Sequence, residues 1–290
     1  MIYTLENNIL KVQINSLGAE LWSVIDKRDV TEHIWQGDPT VWGRRAPNLF
    51  PFCGRLKNDQ YIWGNKTYKA SIHGFSRDYE HDPAELSKDS ITFRFFENHE
   101  TLLKYPFSFC LYTRYELKDD ELTCIFRVKN TNDCVMPFSI GYHTGYMCPF
   151  DNSHIIEDYS LVFEKQETAY EIITDKNGLI TGDKKICLNN QDTIPLHNKL
   201  FSNGSFILTN LISDYVSIVE SKSGKAIKVK IKNFPYVVFW SVENKIPFVC
   251  IEPWFGLPDR ADTDGDFMEK QGILKIDPGK SFECSEVIKF

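Results

Sequence analysis

The sequence predicts an all-β protein, a large twisted antiparallel β-sandwich in which residues 1–290 form one domain. Three observations carry that expectation. Short segments of period-two or continuous apolar patterning recur along most of the chain, with turn residues between them. Aromatic residues make up 14% of the chain, with 21 Phe and 13 Tyr, and the 42% hydrophobic content is enough to bury a large core. No strand–helix–strand alternation appears, which disfavours parallel α/β folds. Neither a flexible linker nor a repeat of roughly 20 to 50 residues divides the chain.

Taken in order, residues 10–14 and 20–25 open the series of expected strands. A strand from Tyr68 ends near Ser71, and 90–96 follows. Residues 107–117 and 122–129 form a long hairpin turned at Asp119-Asp120, and Asn132-Asp133 supplies the next turn. Strands are then expected at 159–163 and 205–208, and at 216–219 and 226–231 around the turn Ser223-Gly224. Residues 236–242 and the apolar run 248–251 come next, and Asp277-Pro278-Gly279-Lys280 turns the chain into a last strand, 283–290. Helical signals are few. Asn98 can cap a short helix through Tyr105, which Pro106 stops, and 264–270 is a second candidate.

The formal net charge is -7 and no Lys/Arg cluster occurs, so neither nucleic acid nor an anionic membrane is an expected partner. No apolar run approaches the roughly 18 residues needed to span a bilayer. The first residues lack a basic stretch followed by an apolar one, so a cytoplasmic protein is expected, as a monomer or weak homodimer. Eight cysteines stand singly, without closely spaced pairs, and are expected to be reduced core residues and not zinc ligands. The serine-hydrolase elbow, the phosphate loop and the dinucleotide fingerprint are all missing.

Chemistry concentrates in four segments. In 42–58, Trp42, Arg55 and Asn58 sit among Gly, Pro and aromatic residues. Arginine forks there suit sugar hydroxyls or a phosphate, with Trp42 as a flat apolar face; the plain alternative is a loop whose arginines satisfy buried carbonyls. Ile72-His73-Gly74-Phe75 and Gly141-Tyr142-His143 each place a histidine beside glycine at a strand end, with Arg77 following the first. Either histidine is suited to proton transfer near neutral pH or to a structural role. Glu252 closes the run Phe248-Val249-Cys250-Ile251 and precedes Pro253-Trp254. A carboxyl in that setting has a raised pKa, and Trp254 offers an aromatic face for a sugar. An iron site from His73, His143 and Glu252 is disfavoured because no tight ligand pair occurs, and no metal or other cofactor is expected.

These segments, with Tyr-Pro-Phe-x-Phe at 105–109, His-Gly-Phe-x-Arg-Asp at 73–78 and Glu-Pro-Trp-x-Gly-x-Pro-Asp at 252–259, resemble the aldose 1-epimerase (galactose mutarotase) family, most closely its LacX-like branch, over nearly the whole chain. The resemblance implies the family's supersandwich fold, a hexose substrate and no cofactor. It implies Arg55 and His73 as sugar ligands, His143 as general acid and Glu252 as general base. Ring opening and reclosure at the anomeric carbon would follow, with apolar walls holding both pKa values nearer 7 than water would. One departure stands out. Where classical galactose mutarotases carry an Asp ligand, residues 200–208 contain no acid, and Asn203 is the neutral substitute. The additional Arg44, Arg45 and Arg77 leave a hexose phosphate open as the substrate.

Overall fold

The computed structural model describes residues 1–290. Its centre is a fourteen-stranded antiparallel sheet. Across it run Ile140–Gly141, Phe248–Phe255, Tyr236–Trp240, Phe206–Thr209, Tyr159–Thr174, Tyr215–Glu220, Ala226–Lys230, Ser281–Lys289, Glu121–Asn130, Phe109–Lys118, Ser90–Phe96 and Asp82–Leu86. Thr144–Met147 also pairs with Phe248–Phe255, and Ile180–Pro195 with Tyr159–Thr174. A four-stranded sheet, Ile2–Glu6, Leu10–Asn15, Glu20–Asp26 and Thr31–Glu32, covers one end of the large sheet. There Tyr3 packs edge-on to Phe93 at 5.3 Å, and the Tyr115 hydroxyl donates to the Ala19 carbonyl at 2.8 Å. One cluster of 59 buried apolar residues runs from Leu5 to Phe290, so both ends of the chain share a single core. No helix is long and apolar enough to cross a membrane.

The alternating pattern places the strands well. Leu10, Val12 and Ile14 are buried and the residues between them are not, as half-buried strands require. The short helix is His99–Lys104, and Asn98 caps it: its side chain accepts from the Glu100 and Thr101 amides, and the Thr101 hydroxyl accepts from the Asn98 amide.

Residues 264–270 are not a helix. Gly265 has φ +91°, the Gly265 carbonyl accepts from the Ile62 amide, and the Phe267 amide donates to Ile62. The segment is therefore tied alongside the strand Gln60–Trp63, and the Asp264 and Asp266 side chains close local turns by accepting from the amides two residues on. The 16-residue strand Ile180–Pro195 lies outside the sequence expectation. It is rich in Asp, Asn and Lys, is mostly exposed, and pairs through repeated register shifts, so it lacks the usual strand signal.

Candidate active site

The strand Phe248–Phe255 carries Glu252. Val238 lies opposite it on one neighbouring strand, and Ile251 pairs with Thr144 on the other. That second pairing brings His143, in the chain between Gly141 and Thr144, beside the carboxyl: His143 Nε2 stands 3.4 Å from Glu252 Oε2. Tyr142 fixes the approach, its ring stacked on Phe126 at 4.3 Å and its hydroxyl donating to the Cys124 carbonyl at 2.8 Å. Trp254 Nε1 donates to the Tyr142 carbonyl at 3.1 Å. The glycines on either side of His143 have a steric reason. A Cβ on Gly141 would stand 2.5 Å from Trp254 Cδ1, and one on Gly145 would stand 2.9 Å from Trp42 Cζ3.

His73 reaches the same place by a different route. Its backbone is left-handed, with φ +64°, and so is that of Gly74. The Gly54 amide donates to His73 Nδ1 at 3.1 Å, so the proton of the neutral ring sits on Nε2 and is available to donate. The ring stands edge-on to His143 at 5.2 Å and to Trp254 at 5.6 Å. Trp42 stacks on His143 at 5.1 Å, and Trp240 meets it edge-on.

Burial sets the electrostatics. Glu252 is 1% exposed, and desolvation holds its pKa well above the usual carboxyl value. Desolvation pushes His143 down to about 3, and the charges of Arg77 and Arg44 add to the effect. His73 is lowered too, by burial first and then by His143. The expectation that both members of the pair move toward neutrality is therefore corrected for the histidine. Apolar walls penalise charge of either sign, so the acid rises and the base falls. Burial therefore favours the uncharged form of each group, the carboxylic acid of Glu252 and the neutral imidazole of His143.

A cavity of about 840 Å³, within the usual range for small-molecule sites of roughly 300 to 1,000 Å³, is lined by His73, His143, Glu252, Trp42, Trp254 and Arg77. Three expected contacts lie outside it. Arg55 is half-exposed and paired with Asp59 at 2.8 Å, and Asn58 forms a left-handed turn beside it. Asn203 lines a separate cavity of about 780 Å³ with Glu171 and Lys185. Ser205, two residues on, borders both cavities.

Sequence reasoning missed Glu20, Trp22, Ser205 and Trp240 as lining residues, and counted Arg44 only as an additional arginine. The period of two carries a signal for one of them: Trp240 stands two residues after Val238, the cross-strand partner of Glu252, and so shares its face; a bulge at Trp22 interrupts the alternation for Glu20 and Trp22. Arg45 turns out to be structural. It donates to the Trp22 carbonyl and to Gln36 and lies 3.9 Å over the Trp22 ring, while its amide and that of Ala46 donate to Glu20. Arg77 is largely buried; burial lowers its pKa to about 10, and its Nε has no partner. Of groups that bind metals, a ring nitrogen of His143, the Cys250 thiol and a carboxylate oxygen of Glu252 lie within 4.8 Å of one another.

An antiparallel sheet that carries a buried carboxyl–imidazole pair in an aromatic-walled cavity is a framework suited to acid–base chemistry on a sugar. The chain belongs to the aldose 1-epimerase family, whose model matches residues 1–275. It is 35% identical to the chromosomal protein LacX of Lactococcus lactis, over 96% of this chain and 95% of that protein. Among solved structures it resembles a galactose mutarotase related enzyme from Lactobacillus acidophilus, with a TM-score of 0.96 and 35% identity over 100% of this chain and 97% of the other. A galactose mutarotase-like protein from Lactobacillus casei gives a TM-score of 0.93 and 34% identity, over 100% and 99%.

Proposed function

We propose that the protein interconverts the α and β anomers of a hexose, with Glu252 as base and His143 as acid. The observation that carries this reading is the buried carboxyl–imidazole pair, 3.4 Å apart, that lines the cavity. The anomeric hydroxyl and the ring oxygen of a pyranose are bonded to the same carbon, so one sugar meets both groups at once. With the pair's proton on His143 Nε2, Glu252 takes the proton from the anomeric hydroxyl while His143 gives its own to the ring oxygen. The C1–O5 bond breaks and C1 becomes a carbonyl. Both side chains are then neutral, the state their burial favours, so ring opening relieves a charge separation. Rotation about C1–C2 and the reverse transfers give the other anomer. His73 donates from Nε2 to a sugar oxygen, and Trp42 and Trp254 cover the apolar faces of the ring. We read the molecule as one catalytic β domain, a monomer or weak homodimer in the cytoplasm.

The test is NMR exchange between the anomers of glucose, galactose and glucose 6-phosphate, with chelator present. Acceleration that Glu252→Gln abolishes supports the reading. Sugar binding without acceleration would make the protein a carbohydrate sensor instead. A second reading, in which the hexose carries a phosphate, is favoured by Arg44 and Arg77, which line the same cavity. Arg44 pairs with Asp78 at 2.6 Å and also donates to the Arg77 carbonyl at 3.5 Å. Equal rates for glucose and glucose 6-phosphate count against this second reading.

A further inference from the structure

One buried group beside the cavity-lining pair has no part in the proposed proton transfers. Cys250 lies two residues before Glu252 on the same strand, so both side chains point to one face. Its Sγ, a ring nitrogen of His143 and a carboxylate oxygen of Glu252 lie within 4.8 Å of one another. All three residues are buried, and Glu252 Oε2 has no hydrogen-bond partner. One nitrogen, one sulfur and one oxygen donor match the ligand types of zinc. Donors around a tetrahedral zinc stand roughly 3.3 to 3.8 Å apart, as follows from bond lengths of about 2.0 to 2.3 Å. The three atoms, within 4.8 Å of one another, would move closer by small side-chain rotations to take up that spacing.

We propose that this trio is a zinc-binding site, with His143, Cys250 and Glu252 as ligands and the fourth position open to the sugar cavity, and that occupancy by zinc switches the epimerase off. Binding expels the thiol and carboxyl protons to solvent. The filled site is then neutral, because one thiolate and one carboxylate balance the two charges of the ion, and a neutral cluster suits a floor packed among Trp35 and Phe248. The metal takes the electron pairs that the reaction needs for proton transfer, so inhibition is a consequence of the ligand set. That inhibition rests on the epimerase reading; the metal site does not.

The experiment uses the full chain and cobalt(II) as the probe, because a thiolate–cobalt charge-transfer band and four-coordinate visible bands report the site whether or not the protein is an enzyme. The expected result is one cobalt per chain with both signatures, displaced by zinc. Cys250→Ser and Cys250→Ala should lose the charge-transfer band and bind zinc more than about a hundredfold more weakly, beyond the 10- to 100-fold typical of removing an outer-shell partner. If the epimerase reading holds, zinc stops anomer exchange in the wild type, chelator restores it, and the Cys250 variants exchange anomers in the presence of zinc. Should neither variant fold, Glu252→Gln must shift the visible cobalt bands while the thiolate band stays. Absence of a thiolate band in the wild type overturns the proposal, as does an undiminished band in a folded Cys250 variant or an unshifted spectrum in Glu252→Gln.

Discussion

At the scale of single residues, the site turns on where one proton resides. Burial raises Glu252 and lowers His143, and with 3.4 Å between them one sugar can meet both groups. Glu252→Gln and His143→Asn should each slow anomer exchange by about 10² to 10⁴, the usual worth of a positioned acid or base, as read by polarimetry or NMR. Full activity in both variants would remove the mechanism. These residues were legible because each stands in a distinctive local setting: glycine beside a histidine, or proline and tryptophan after a glutamate. Arg55, Asn58 and Asn203 lie outside this cavity, a placement sequence alone does not give because the direction of a loop side chain depends on its partners. Asp59 claims Arg55, and a left-handed turn carries Asn58 aside. The histidine pKa was misjudged for a related reason. Sequence indicates an apolar neighbourhood, but the size of the desolvation depends on complete enclosure.

At the scale of elements, paired strands set the geometry. The Thr144 to Ile251 register places His143 against Glu252, and the lack of a side chain at Gly145 admits the Trp42 ring. Gly145→Ala should push Trp42 off His143, raising KM for the sugar several-fold with the fold intact, a change that initial-rate kinetics would detect. Helix His99–Lys104 depends on its cap, so Asn98→Ala should cost about 0.5 to 2 kcal/mol in urea unfolding without changing epimerase activity. The helix was legible because capping is written in adjacent residues. The strand Ile180–Pro195 was not, since long-range pairing with Tyr159–Thr174 holds it and its own composition does not.

At the scale of the whole molecule, buried ionisable groups shape the response to pH. His33 and His81 are pushed down to about 4 and His143 to about 3, each mainly by burial, from an ordinary value of 6.5. Unfolding lets them take up protons, so their stabilisation is full above pH 6.5 and is lost as pH falls toward 4. Burial lifts Glu286 from 4.5 to about 8 and lifts Glu252 as well. These carboxyls hold protons that the unfolded chain releases, so their stabilisation is full below pH 4.5 and is lost as pH rises toward 8. Opposed slopes leave a broad maximum in mildly acidic solution. Calorimetry across pH 4 to 9 should give the highest Tm between about pH 4.5 and 6.5, and Glu286→Gln should flatten the alkaline decline. A Tm that climbs steadily from pH 5 to 8 would contradict this account. The architecture itself was legible because the aromatic, period-two pattern leaves few alternatives to stacked antiparallel sheets. The order of the strands was not, and that order bears on how the molecule assembles. Ser281–Lys289 lies in mid-sheet between Ala226–Lys230 and Glu121–Asn130, and Arg28 donates to the carbonyl of Phe290, 262 residues away. Because that strand joins the two halves of the sheet only after the chain between them has been brought round, refolding from denaturant should be slow, with the unjoined sheet edges prone to aggregation, as stopped-flow fluorescence and light scattering at rising protein concentration would show.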